Sequence, residues 1–230
     1  MEDCVRDIKA WARGNNMMLN ENKTEVVHIV SQFRKRIESV SLTIDGPTIN
    51  ASKSARDLGV IVDNSLDGKE HIRKVCRAAS SSIYRIRKIR KYLNQSSTER
   101  LVDALVTSHL DYCNSLLINL PACHLAPLQH IQNTAARLIT CTRKYDRISP
   151  VIRNLHWLLI PQRIKFKILL ITYNIIHNRS PIYLTDLMSL KPRPDTHMDL
   201  RSSSATQLKL GPRTHNRYGD HSYRRDGAGP

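Results

Sequence analysis

The chain is poor in aromatic side chains and has no long apolar run. Phe, Trp and Tyr make up only 5% of the 230 residues, although apolar residues as a group reach 40%. Any core is therefore expected to be aliphatic, built mainly from Leu, Ile and Val. The richest apolar stretch, from Ile168 to Ile176, is interrupted by Thr172 and Asn174. It is too short to cross a bilayer, which takes about 20 apolar residues, so we expect no membrane partner.

Closely spaced cysteines are also missing. The five cysteines are odd in number and far apart, which is not typical of a disulfide framework or of structural zinc. They are Cys4, Cys76, Cys113, Cys123 and Cys141. A nucleophilic cysteine with a histidine partner stays open around Cys113 to Cys141, but no third orienting group stands out. Met1-Glu2-Asp3-Cys4 does not resemble a signal peptide. We expect an intracellular protein, in the nucleus or the cytoplasm, without a bound metal.

Acidic residues are scarce relative to basic ones. Asp and Glu total 20 against 36 Lys and Arg, so the formal net charge is +16 and the pI is near 10.0. Such an excess of positive charge favours polyanions as partners, with nucleic acid ranked before an anionic membrane surface, and we expect nucleic acid and no membrane.

The N-terminal part of the sequence carries strand and turn signals. Residues 1–13 have a helical pattern that Gly14-Asn15-Asn16 would close. Strands are predicted from Glu25 to Ser31, from Val40 to Ile44, from Thr48 to Asn50 and from Asp57 to Asp63. The run Asp45-Gly46-Pro47 predicts a hairpin turn between the two middle strands. Residues 1–66 are therefore predicted to form a small β-rich unit.

Residues 67–190 carry helical patterns instead. The predicted buried stripe of the first helix is Ile72, Val75, Ala79, Ser82, Ile86, Ile89 and Leu93. A second helix is predicted to begin at Ser96, with Glu99 completing a capping box. Its predicted buried face is Leu101, Leu105, Tyr112 and Leu116. Further helices are predicted at Pro121, Ser149-Pro150, Pro161 and Ser180-Pro181. The helix at Pro121 has the expected stripe Leu125, Leu128, Ala135 and Leu138. The helix at Pro161 has the expected stripe Ile164, Ile168, Ile171 and Ile175.

Residues 191–230 are rich in Arg, Ser, Pro, Gly and His and contain few apolar side chains. Such a segment cannot bury enough surface to offset its ordering entropy, so we expect a disordered basic tail. The predicted fold class is α+β, with a β-rich unit, a mostly α-helical bundle and this tail.

The first predicted helix is strongly basic on one side. No acidic residue occurs between Ile72 and Thr98. Seven cations lie opposite the apolar stripe on a helical wheel, with Arg90 at the edge: Arg73, Lys74, Arg77, Arg85, Arg87, Lys88 and Lys91. This face could be an ordinary solvated one. Solvated faces usually mix charges of both signs, however, so the pattern favours contact with phosphates.

Several segments occur in an order typical of one protein family. The segment from Trp11 to Thr24 contains Asn20-Glu21-Asn22-Lys23-Thr24, and Asp57-Leu58-Gly59-Val60-Ile61-Val62-Asp63 follows it. The basic helix comes next, then the run SHLDYCNSLL over residues 108–117. Three further segments continue the pattern: Ile131 to Leu138, Leu155 to Leu158 and Leu200 to Asp220. Together they resemble the part of a non-LTR retrotransposon (LINE, jockey-like) reverse transcriptase that lies after its catalytic aspartates.

The resemblance implies a role for each segment. The first would be motif D, in which Lys23 protonates the pyrophosphate leaving group; otherwise Lys23 is an exposed lysine of no special function. Leu58 and Gly59 would belong to motif E, the primer grip; otherwise Gly59 is a packing glycine in a buried strand. The β-rich unit would be a palm remnant and the helical part a thumb-like domain. The implied partners are RNA and DNA as template and primer.

The sequence lacks the catalytic carboxylates of that family. Nucleotidyl transfer uses two carboxylates that hold two metal ions, and the chain has no Asp-Asp pair. We therefore predict no catalysis by this chain and no cofactor in it, with Mg²⁺ expected only for a full-length parent enzyme. The missing upstream palm and fingers region would be a further partner. Two alternatives stay open: a domesticated, sequence-tolerant nucleic-acid-binding protein, and a truncated element copy without function.

Overall fold

The computed structural model describes residues 2–20, 23–29, 41–43 and 48–187. The fold is α+β, as predicted, and the chain forms two compact units, Met1–Lys74 and Val75–Pro230. The predicted disordered tail, residues 191–230, lies outside the described residues, as do Ser31 and the turn Asp45-Gly46-Pro47.

The first unit begins with a helix and continues with short strands. Helix α1 spans Glu2–Gly14, and Asn16 follows it with a positive φ of 55°. The strands are β1 (Val26–Val27), β2 (Ser41–Thr43), β3 (Thr48–Ser52), β4 (Ser54–Asp57) and β5 (Val60–Asp63). Strand β3 pairs in parallel with β1 and antiparallel with β2, while β4 and β5 form a separate antiparallel pair.

The pairing of β2 with β3 confirms the predicted hairpin, with Leu42 opposite Ile49. The prediction of one continuous strand from Asp57 to Asp63 is wrong. Asp57 ends β4 and Val60 begins β5, so Leu58 and Gly59 form the two-residue turn between them. Both have positive φ, 42° and 92°, which is the backbone that a tight hairpin turn requires. The apolar Leu58 and the Val60-Ile61-Val62 run that follows Gly59 hid the turn in the sequence.

Helix α2 (Lys69–Ile89) begins where a buried carboxylate orders the preceding loop. The Asp63 side chain accepts hydrogen bonds from the backbone N–H of Asp67 at 2.9 Å and of Gly68 at 3.1 Å. In the first turn of α2, Nδ1 of the buried His71 accepts from the N–H of Ile61 at 3.4 Å. These contacts hold the first turn of α2 against the strands of the first unit, which extends to Lys74 inside α2.

The second unit is helical over its described residues. After α2 come a 3-10 turn (Arg90–Tyr92), α3 (Gln95–Val102), a π-helical turn (Asp103–Thr107), α4 (Ser108–Asp111) and a second 3-10 turn (Asn114–Leu117). The remaining helices are α5 (Ala122–Thr140), α6 (Ser149–Asn154), α7 (Ile160–Ile176) and α8 (Ile182–Leu187). The predicted starts near the four prolines are confirmed to within one or two residues, and Pro121 is the N-cap of α5.

An aliphatic core holds these helices together. Ile86, Leu128, Ile139 and Ile164 are fully buried, in agreement with the predicted composition. Polar contacts add specificity, since buried amide groups need partners. The buried Gln132 on α5 donates from Nε2 to the carbonyl oxygen of Leu158 at 2.8 Å, just before α7.

An ion pair ties α7 to the segment around α4. Nη1 of Arg163 lies 2.7 Å from Oδ2 of Asp111, and the arginine side chain is largely buried. Oδ1 of the same aspartate accepts from Nδ2 of the buried Asn114 at 3.3 Å. Part of the SHLDYCNSLL run, residues 108–117, therefore contributes to packing.

The stripe predicted for α2 is correct except at Ile89, although Val75 and Leu93 are only half-buried. Ile72, Ala79, Ser82 and Ile86 are buried, and Ile83 joins them. Ile89, however, is 45% exposed, because the following 3-10 turn changes the spacing and directs Arg90 inward instead.

The predicted start and buried face of α3 are also wrong. The N-cap is Asn94, whose Oδ1 accepts from the N–H of Ser97 at 2.8 Å, and not Ser96 with Glu99. The predicted face has three exposed members, Leu105, Tyr112 and Leu116, while the buried residues are Thr98, Val102, Val106 and Leu110. The π-helical turn has more residues per turn than an α-helix, so residues four apart stay on the same side of this segment.

Candidate nucleic-acid interface

The predicted basic residues of α2 and the turn after it all lie at the surface. Each of the seven is exposed: Arg73, Lys74, Arg77, Arg85, Arg87, Lys88 and Lys91. Arg73 and Lys74 belong to the first unit, and the other five belong to the second. We call the cluster of Arg85, Arg87, Lys88 and Lys91 the basic face.

The residues opposite the basic face explain its orientation. Ile83 and Ile86 are buried in the helical core, and Ser82 is only 1% exposed. Nη2 of Arg85 donates to Oγ of that serine at 3.2 Å, one turn away. The amphipathic pattern therefore keeps the cations in water. Arg87 and Lys88 lie in the last turn of α2, where positive charge interacts favourably with the helix dipole.

Charge balance around the basic face decides how strongly its cations attract an anion. Within the described ranges of the chain, none of its four side chains forms an ion pair. Exposed cations without acidic neighbours keep their full attraction for phosphate groups.

Two tyrosines accompany the cations. Nζ of Lys88 lies 4.7 Å from the ring centroid of Tyr84, and Nζ of Lys91 lies 4.8 Å from that of Tyr92. Both tyrosines are exposed, at 59% and 77%. Exposed rings next to cations are typical of surfaces on which nucleic-acid bases stack.

Arg90 differs from its basic neighbours because its guanidinium is used inside the protein. Nε donates to the carbonyl oxygen of Leu138 at 2.9 Å, Nη2 to that of Ile139 at 2.9 Å, and Nη1 to that of Leu93 at 2.7 Å. The first two carbonyls belong to the last turn of α5, whose backbone acceptors otherwise lack intrahelical donors. Arg90 therefore caps α5.

A groove runs between the end of α2 and α5. Its larger part has a volume of about 510 Å³ and is lined by Arg87, Arg90, His130, Thr134, Arg137 and Lys144, among others. A smaller part of about 210 Å³ shares Arg87, His130 and Thr134 and adds Tyr84. None of the described residues that line either part is acidic. We call this feature the α2–α5 groove.

The sequence predictions did not include the α5 side of this groove. His130, Arg137 and Lys144 lie 39 to 60 residues after Tyr84 and Lys91 in the chain, and no local pattern connects them to α2. The only sequence signal is the basic pair Arg143-Lys144 directly after a predicted helix.

The residues assigned by resemblance to motifs D and E lie in the first unit. Lys23 is exposed in the segment between α1 and β1, and its backbone N–H donates to the carbonyl oxygen of Asn20 at 3.1 Å. Leu58 is 84% exposed at the tip of the β4–β5 hairpin, next to Gly59. The packing alternative for this pair, a buried strand, is wrong because the leucine projects into solvent.

The cysteines are free thiols, and no three metal-ligating side chains come together among the described residues. Burial raises the pKa of the Cys76 thiol on α2, which favours its protonated form. In the part of the chain that the structure describes, no helix is long and apolar enough to span a membrane.

No protein-family model, curated protein or solved structure matches the chain.

Proposed function

We propose that the chain is the post-catalytic region of a non-LTR retrotransposon reverse transcriptase, which binds template and primer without transferring nucleotides. The single observation that carries the proposal is the basic face, four exposed cations on α2 and the turn after it, on the side away from the buried stripe. The ordered resemblance of the surrounding segments to that family supports it further.

Binding through the basic face is expected to be electrostatic and independent of sequence. Each cation that contacts a phosphate releases condensed counterions, so affinity falls with rising salt. Phosphates carry no base information, so all sequences are bound alike. RNA and DNA are therefore both partners of the proposed interface.

The first unit would contribute at the primer end. The exposed turn of Leu58 and Gly59 presents backbone that can approach a nucleic-acid strand closely, as a primer grip requires. Lys23 is exposed and can carry a proton, as a general acid for pyrophosphate release requires. These roles apply only within a full polymerase.

The test changes the four cations of the basic face together. The variant combines Arg85→Gln, Arg87→Gln, Lys88→Gln and Lys91→Gln. Glutamine has good helix propensity and the buried stripe is unchanged, so the variant should fold. Fluorescence anisotropy at several salt concentrations gives the slope of log affinity against log salt. If each cation contacts one phosphate, the slope on duplex DNA should become less negative by about 3.6.

A matched control separates this site from the general effect of net charge. The control removes the same charge from exposed positions outside α2, through Arg153→Gln, Lys165→Gln, Lys167→Gln and Arg179→Gln. This control should keep the wild-type slope. Equal slopes for the wild type and the basic-face variant, with both folded by circular dichroism, would show that the basic face is only a solvated surface.

A further inference from the structure

We propose that the α2–α5 groove binds unpaired nucleotides of a single strand, with a base stacked on Tyr84 and a phosphate held by Arg137 and Lys144. This inference rests on the proposed function and deepens it, because the basic face alone does not distinguish single strands from duplexes.

The size and continuity of the groove fit a nucleotide. The larger part, about 510 Å³, falls within the range of about 300–1,000 Å³ that is usual for small-ligand sites. The smaller part adjoins it through Arg87, His130 and Thr134, which line both. One end is therefore aromatic, at Tyr84, and the other is cationic, at Arg137 and Lys144.

Arg137 has a donor that lacks a partner. Its Nη2 donates to the carbonyl oxygen of Asp146 at 3.2 Å, which restrains the guanidinium. Its Nε is buried and has no hydrogen-bond partner among the described residues. A buried donor without a partner is costly, especially on a charged group. A phosphate oxygen is the type of acceptor that a guanidinium binds best.

The C-terminus of α5 does not repel an anion bound in the groove. Helix C-termini carry partial negative charge on their free carbonyl groups, and Leu138 is part of the groove. The guanidinium of Arg90 accounts for this, since it donates to the carbonyl oxygens of both Leu138 and Ile139. The nearby Asp146 carboxylate accepts from the backbone N–H of Arg143 at 3.1 Å and does not line the groove.

Tyr84 supplies the stacking surface. Its ring is 59% exposed, although the ammonium group of Lys88 lies 4.7 Å from the ring centroid. Base stacking on an aromatic ring requires a base that is not already paired and stacked within a duplex. The combination of a ring and a phosphate site therefore selects single strands. An acidic peptide would satisfy the cations but not the ring.

The experiment compares binding of a fluorescein-labelled dU12 strand with that of a blunt 12-base-pair duplex by anisotropy. Tyr84→Ala should weaken binding of the strand about tenfold and leave duplex binding within twofold. Tyr183→Ala is the matched control, because Tyr183 is also exposed, at 64%, but lies on α8 and does not line the groove. It should change neither affinity by more than twofold.

Two further variants test the phosphate end. Arg137→Gln removes the buried donor, and Lys144→Gln provides a second variant at an exposed position in case the first fails to fold. Each should weaken strand binding several-fold and make its salt slope less negative by about 0.7. Lys165→Gln on α7 should have no such effect.

Several outcomes would overturn the inference. One is an equal loss of strand and duplex binding on Tyr84→Ala. Another is a loss of strand binding on Tyr183→Ala as large as that on Tyr84→Ala. Unlabelled competitors identify the ligand of the groove. If uridine monophosphate competes as well as unlabelled dU12, the groove binds a free nucleotide and not a strand. If polyglutamate competes as well, the groove binds an acidic peptide. Both this inference and the proposed function fail if the wild type binds neither nucleic acid. Only this inference fails if the basic-face variant loses affinity while the groove variants do not.

Discussion

Arg90 is the residue whose role depends most on the tertiary structure. Its three hydrogen bonds join the end of α2 to Leu93 and to the last turn of α5. Arg90→Met keeps the aliphatic stem and helix propensity but removes all three donors. Because hydrogen bonds from charged groups contribute most, the free energy of unfolding should fall by about 2–4 kcal/mol. Urea denaturation followed by circular dichroism measures the change.

Arg77→Met is the control for this prediction. Arg77 is exposed on the same helix, so its replacement should alter the free energy of unfolding by less than about 0.5 kcal/mol. Equal effects of the two substitutions would mean that the capping bonds of Arg90 do not contribute to stability.

His71 should make the first unit sensitive to acid. Burial lowers the pKa of His71 below its ordinary value of 6.5, and the charge of Lys74 lowers it further. The unfolded chain therefore takes up this proton before the folded chain does. Stability should be fully present above about pH 6.5 and should fall as the pH drops through the unfolded pKa toward the folded one.

The measurement is urea denaturation at pH 7.5 and pH 5.5. His71→Asn keeps an acceptor for the Ile61 N–H but cannot titrate, so its stability should decrease less between these two pH values than that of the wild type. His109→Asn, at an exposed position on α4, should keep the wild-type dependence. If His71→Asn and the wild type lose the same stability, another group causes the acid sensitivity.

At the scale of elements, the N-cap residue of α3 in the structure differs from the one that the sequence pattern predicts. The sequence predicts Ser96 as the N-cap, whereas Asn94 accepts from the Ser97 N–H at 2.8 Å. Asn94→Ala should therefore lower the free energy of unfolding by about 1 kcal/mol, the usual contribution of an N-cap. Ser96→Ala should change it by less than about 0.5 kcal/mol. Thermal and urea denaturation would show the reverse order if the predicted capping box were correct.

The buried face of the α3–α4 segment could not be predicted either. Leu101, Leu105 and Leu116 are more apolar than Thr98, which is nevertheless fully buried. Oγ1 of Thr98 donates to the carbonyl oxygen of Asn94 at 2.8 Å, so burial leaves its hydroxyl group with a partner. Two faces of this segment are apolar enough to be buried, and the neighbouring helices decide between them.

At the scale of the whole molecule, we predict that the purified protein does not extend a primer, with either Mg²⁺ or Mn²⁺. The reason is the sequence, which lacks the adjacent aspartates of the resembled family, and without such carboxylates the metal-assisted transfer is unsupported. A primer-extension assay with an added active polymerase as the positive control measures this. Incorporation that accompanies the wild-type protein but disappears in Lys23→Met would contradict the prediction and identify Lys23 as catalytic.

Local patterns in the sequence determined much of this protein. The basic face, the prolines at helix starts and the β2–β3 hairpin each depend on residues close together in the chain, so propensity and periodicity are enough to predict them. The tertiary structure alone decided the inward position of Arg90, the buried face of α3 and α4, and the α2–α5 groove. These features join residues as far apart as Tyr84 and Lys144. Which side chains meet there depends on how helices pack, and packing selects among several faces that the sequence leaves equally apolar or equally charged.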